Sequence, residues 1–98
     1  MTYTVTSAKT EPKTFATMAE AFRFAIEAEA EYQPAGGVDV TDDDGGVTYT
    51  AADGRIAVEV VAGDDTEEGA VMLVDGALVI AWQQGTRTPF DPRNVIPA

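Results

Sequence analysis

Three carboxylates in a row, Asp42-Asp43-Asp44, and four within the five residues Asp64-Asp65-Thr66-Glu67-Glu68 are the densest chemical features of this sequence. Clustered carboxylates can ligate a hard cation, act as a general acid and base, or present fixed negative charge to a cationic surface. The first use fails on spacing. Counted from Asp42, the calcium-loop pattern is met at Asp44, but its fifth position is Gly46 and its twelfth is Asp53 in place of Glu. A plain hairpin loop accounts for the TDDDGG stretch better. The second use, as in glycoside hydrolysis, needs a substrate cleft, and 98 residues leave little room for one. The chain has no His and no Cys, and its one serine, Ser7, has no imidazole to activate it. Its glycines match neither the dinucleotide nor the P-loop pattern. The expectation is a protein that is not an enzyme and takes no metal or cofactor.

The third use is supported by where the charge falls. Seventeen Asp and Glu against six Lys and Arg give a formal charge of -11. Residues 27 to 75 hold fourteen of those acids against Arg55 alone, a net of -13, while residues 1 to 26 and 76 to 98 each net +1. Such a chain repels phosphates, which excludes direct binding to nucleic acid or to an anionic membrane surface. Like charges this concentrated also cost folding free energy, so a sequence shaped by stability alone would intersperse cations among them.

The elements that must position these acids can be read from period and punctuation. Tyr3-Thr4-Val5-Thr6 reads as a short strand ended by the polar, proline-containing run from Ser7 to Lys13. Thr17-Met18-Ala19-Glu20 has capping-box spacing, which puts the N-cap at Thr17. Phe22, Ala25 and Ile26 then recur at helical spacing, with Phe15 leading into the same face and Glu20, Glu27 and Glu31 on the opposite one. Glu29 falls on the apolar face, which predicts that the helix projects past the core edge or frays before Pro34; it should stop near Tyr32.

After Pro34-Ala35-Gly36-Gly37 the period changes to two. Val38 to Thr41 and Val47 to Ala51 read as half-buried strands joined by the acidic loop. Asp53-Gly54 turns into a strand over residues 55–62, residues 63–69 read as a loop, and Asp75-Gly76 joins residues 70–74 to 77–83 as a hairpin. The expected fold is a single α+β domain. One amphipathic helix packs on an antiparallel sheet of five to six strands, in the chain order β-α-β-β-β-β-β. The runs IAVEVVA, AVMLV and ALVIAW are nearly all apolar, as in strands covered on both faces. A partial barrel, a folded-back tail anchored by Phe90, Val95 and Ile96, or a homodimer through the sheet would supply the second cover.

Same-face residues lie about 6.5–7 Å apart on a strand and about 6 Å apart at four-residue spacing on a helix. These steps resemble those between neighbouring backbone phosphates. In charge and size the chain resembles, as a class, the small acidic inhibitors that phages and other mobile elements direct against restriction or CRISPR nucleases. That likeness, of charge and size alone, implies a phosphate mimic acting in the cytoplasm on a nuclease or effector complex; the placement of the acids on the helix face and hairpin loops makes Glu27, Glu31, Asp42, Asp43, Asp44, Asp64, Asp65, Glu67 and Glu68 the expected contact residues in its basic groove. A basic protein is the expected partner. Two other readings compete: a structural or assembly subunit working through its apolar sheet, and an acidic protein adapted to a salt-rich cell. No apolar run approaches a membrane span, and MTYTVTSAKTEPK lacks the basic end and apolar run of a secretory leader, so an intracellular protein is expected.

Overall fold

A computed structural model describes residues 2–43 and 46–96. One helix packs on one face of an eight-stranded antiparallel sheet, as an α+β fold. The strands are β1 (Tyr3–Ser7), β2 (Thr10–Phe15), β3 (Val38–Asp42), β4 (Thr48–Ala52), β5 (Arg55–Ala62), β6 (Asp65–Val74), β7 (Ala77–Trp82) and β8 (Arg87–Pro89). The helix α1 (Met18–Tyr32) follows β2, and a single 3-10 turn, Pro92–Asn94, follows β8. The sheet order is β2-β1-β3-β4-β5-β6-β7-β8, a meander from β3 onward with the β1–β2 hairpin added beside β3.

Two added strands raise the number from five or six to eight, and a third difference lengthens a strand already expected. The stretch taken to end β1 pairs with it as β2, through Tyr3↔Phe15, Thr4↔Thr14 and Val5↔Lys13. Residues 65–69, read as loop, are the first half of β6. Arg87–Pro89 is β8. Both β2 and β8 are edge strands, where Pro12, Lys13 and Pro89 are tolerated because an edge needs no second partner and is protected by residues that refuse one.

The helix follows its sequence signals closely. Thr17 is extended, and its Oγ1 accepts from the Glu20 N–H at 3.2 Å. The return half of the capping box differs, because Glu20 Oε1 accepts from the Thr17 hydroxyl at 2.9 Å. The helix ends where Gln33 turns left-handed, at φ 44°, and donates to the Glu29 carbonyl. Met18, Ala21, Phe22, Ala25, Ile26 and Ala28 form its buried face. Phe15 does not join that face; it packs against Phe24 on the flank, with ring centroids 5.2 Å apart.

The core lies between α1 and the inward rows of the strands: Val5, Val38 and Val40, Tyr49 and Ala51, then Ile56, Val58, Val60, Val71 and Ile80. Phe22, fully buried, stands edge-on to Tyr49 at 5.1 Å and tilted against Phe90 at 5.8 Å. The sheet is not closed. The tail, one of the three covers considered for the second face of the apolar strands, does fold back but does not cover that face. Phe90 packs on the core, Val95 is buried and bridges Val60, and the Ile96 N–H donates to the Glu59 carbonyl at 2.9 Å. These contacts are on the helix side. The cross-strand rows Arg55↔Met72↔Val79↔Pro89 and Ala57↔Ala70↔Ala81↔Arg87 face the other way.

Candidate functional site

Antiparallel alternation decides which acids meet. β3 and β5 run in one direction, so the β3–β4 and β5–β6 turns leave the sheet at the same end, about 10 Å apart at two strand spacings. The register Phe15↔Tyr3↔Asp42 brings the start of the helix to that end too, and α1 runs away from it. Asp43, Asp64, Asp65, Glu67 and Glu68 therefore lie toward one end of the molecule, with Glu67 on the helix face opposite Val60 and Glu68 on the other face opposite Glu59. Glu27 and Glu31, though exposed, belong to the later half of α1, roughly 14–20 Å along the axis from its first residue. The opposite end holds them, and Glu29 shows how: its carboxylate accepts from the Gly54 N–H at 2.8 Å, tying the last turns of α1 to the β4–β5 turn. This bond also explains an acid on the apolar face, since Glu29 neither frays the helix nor leaves it past the core edge.

Within the acidic end the residues are held differently. Asp42 is not presented to a partner, because it is the last residue of β3 and only 8% exposed. It sits across from Tyr3 and close to Tyr49, whose phenol is pushed above its usual value near 10 by burial, then by Tyr3, then by Asp42. Asp43 is exposed and fixed by β1: it accepts from the hydroxyls of Thr2 and Thr4. Asp44, also expected at the site, lies outside the described residues. Asp64 and Asp65 form the tip of the β5–β6 hairpin and are exposed. Glu67 is half-buried opposite Val60, and its Oε1 is shielded from solvent with no hydrogen-bond partner among the described residues.

One acid escaped the sequence reading. Glu59 lies in the apolar run of β5, and the register places it directly opposite Glu68 on the exposed side of the sheet. Like charges in this relation repel at a Cβ separation of about 4.5–5.5 Å. The single acid interrupting IAVEVVA was the available signal; its partner follows only from the register. The ion pair found among the described residues is Arg93 with Asp91, at 2.9 Å, and it involves none of these acids. There, hydrogen bonds from the Arg93 side chain and then its N–H hold the Asp91 carboxyl below its usual value. No Lys or Arg occurs in either turn: between residues 42 and 86 the one cation is Arg55, beside the β4–β5 turn at the far end.

Among the described residues no three acids converge closely enough to hold a metal ion. Among the described residues no helix is long and apolar enough to cross a membrane. No known family model, curated protein or solved structure matches the chain.

Proposed function

We propose that this chain is a non-catalytic inhibitor of the anti-restriction or anti-CRISPR kind. On this reading it acts in the cytoplasm by inserting its acidic end into a basic groove that otherwise holds nucleic acid. The observation that supports it is that the β3–β4 turn, through Asp43, and the β5–β6 turn, through Asp64 and Asp65, lie at one end of the sheet with no Lys or Arg in either. Asp43, Asp64, Asp65, Glu67 and Glu68, with Glu59, are the proposed contacts. Glu27 and Glu31 drop out of a single contact surface because they lie at the other end. Carboxylates entering a Lys- and Arg-lined groove release its counterions as phosphates do, and long-range attraction speeds the encounter.

The test is cleavage by purified restriction and RNA-guided nucleases in the presence of the full chain. Wild type should slow at least one of them, and less so as salt rises. The variant D64K/D65K/E67K/E68K should lose the effect while keeping its far-UV spectrum. Inhibition undiminished by the four reversals refutes the reading.

A second reading, an assembly subunit, has its own observation. Met72, Val74, Val79 and Ala81 are half-buried apolar residues on the sheet face that neither α1 nor the tail covers. If that face binds, Val79→Lys should break oligomers seen by sedimentation, and a strict monomer at high concentration counts against it.

A further inference from the structure

In the later half of α1, Phe24, Ala28 and Tyr32 stand at four-residue spacing and so lie one above the other along the helix. Ala28 is buried and its side chain ends at Cβ, which leaves a gap between the two rings. The result is a groove of about 350 Å³, lined by these three residues with Glu27 and Glu31. All five belong to one helix. Its shape is therefore as firm as α1 itself, which Thr17 caps at the start and Glu29 ties to the β4–β5 turn near the end.

Two features of the groove are unfavourable as bare surface. Tyr32 is 44% exposed, one of two large apolar side chains left so open among the described residues. Glu27 and Glu31, at like-charge i, i+4 spacing, repel each other. Neither has a hydrogen bond or an ion pair among the described residues. The nearby lysines are engaged elsewhere. Lys9 donates to the Tyr32 carbonyl at 3.1 Å, and Lys13 lies over the rings of Phe15 and Phe24, 5.6 and 4.9 Å from their centroids. Lys13 shows what this flank attracts, a cation on an aromatic face, and Tyr32 is the ring that has none.

An open aromatic face, an apolar floor and two unpaired carboxylates match one side chain best. A guanidinium is planar and weakly hydrated, stacks on a ring, and carries N–H donors along two edges, so it can meet two carboxylates at once. Its aliphatic stem suits an apolar floor. An ammonium has no plane to stack, and a neutral side chain would leave the carboxylates repelling each other. We propose that this groove is a docking site for one exposed arginine of a partner protein. The guanidinium lies against Tyr32 and donates to Glu27 and Glu31, and the stem runs over Ala28 beside Phe24. The site is at the end of the molecule away from the acidic turns, and the inference does not rest on those turns acting as a nucleic-acid mimic.

The experiment titrates the full chain, at about 150 mM salt to screen long-range attraction, with three capped peptides: Gly-Gly-Arg-Gly-Gly and its lysine and citrulline counterparts. The readout is the NMR ring signals of Tyr32 and Phe24. The arginine peptide should move them saturably and bind roughly fivefold or more tighter than the lysine peptide. Citrulline, which keeps the shape and loses the charge, should not bind. E27Q/E31Q should weaken binding roughly tenfold or more, and Tyr32→Leu, which keeps apolar bulk and removes the ring, roughly fivefold or more, with far-UV spectra unchanged. D64N/D65N takes the same two charges from the other end and should bind within about twofold of wild type. Equal binding of the arginine and lysine peptides would mean charge attraction alone and would overturn the proposal, as would unmoved ring signals or no binding. Loss of binding in D64N/D65N would place the peptide at the acidic turns, overturning this site while leaving the mimic reading untouched. A dimer dissociated by the peptide would also overturn it, since the occupant would then be an arginine of a second copy.

Discussion

Glu29 marks the difference between an acid that serves the fold and an acid that is left over. Its carboxylate accepts the Gly54 N–H, so Glu29→Ala removes a charge-assisted bond and should cost about 1–3 kcal/mol in chemical denaturation. Gly37 is similarly fixed. It has φ +78°, and an added Cβ would come within 2.5 Å of the Ala51 carbonyl oxygen, so Gly37→Ala should destabilise by about 1–3 kcal/mol or more. Tyr49 carries a pH dependence of definite sign. Its folded pKa is raised above the usual value near 10 by burial, so the fold favours the neutral phenol. That contribution is fully present below pH 10 and is lost as pH rises through the higher folded value. Stability should therefore fall on the alkaline side, and Tyr49→Phe should flatten that limb in denaturation curves compared at pH 8 and 11. A limb as steep in the phenylalanine variant would remove Tyr49 from the explanation.

At the scale of the element, what could be read from the sequence depended on how local the signal was. Thr17, Glu20 and the Phe22–Ala25–Ile26 spacing sufficed for α1, because capping and helical period need only neighbours in sequence. The Asp53-Gly54 and Asp75-Gly76 turns were equally legible: both residues of each pair have positive φ, as a type I′ hairpin turn demands. Edge strands were not. Pro12 and Lys13 look like the end of a strand and are instead its protection, and three residues of β8 carry no period at all. The hidden half of β6 is charged on its exposed side because it is the rim of the molecule, so Asp65-Thr66-Glu67-Glu68 reads as loop although it is hydrogen-bonded strand. The short β4–β5 ladder, two residue pairs before the tail pairs with the same edge of β5, leaves no trace in sequence, since register is a property of two segments together. The cap gives a direct check on α1: Thr17→Ala should lower stability by about 0.5–2 kcal/mol, measured by thermal or urea unfolding.

For the molecule as a whole, the charge that seemed continuous along residues 27–75 divides in space. Strand direction sends the two acidic turns to one end and the last turns of α1 to the other, and α1 covers one face of the sheet, with residues 90–96 folded back on that same side. The acids of the proposed contact were thus legible by type, but their grouping was not, because it depends on a register that composition does not contain. Charges crowded in two turns that carry no cation oppose folding. Replacing Asp64 and Asp65 by Lys should accordingly raise stability at low salt by up to about 1 kcal/mol, a gain of about 4–8 °C in Tm for a domain of this size. The gain should shrink with added salt as screening removes the repulsion. A fall in Tm would mean that the acids stabilise the hairpin, and the argument for a retained functional cost would fail.

The central claim is that the acidic end and a polynucleotide compete for one groove. Its most direct measurement is binding of the full chain to a nuclease it inhibits, titrated with duplex DNA at about 50 and about 200 mM salt. The expected result is mutual exclusion, affinity that falls steeply with salt, and loss of binding in D64K/D65K/E67K/E68K. A ternary complex of nuclease, DNA and this chain, or undiminished binding by the reversed variant, would contradict it.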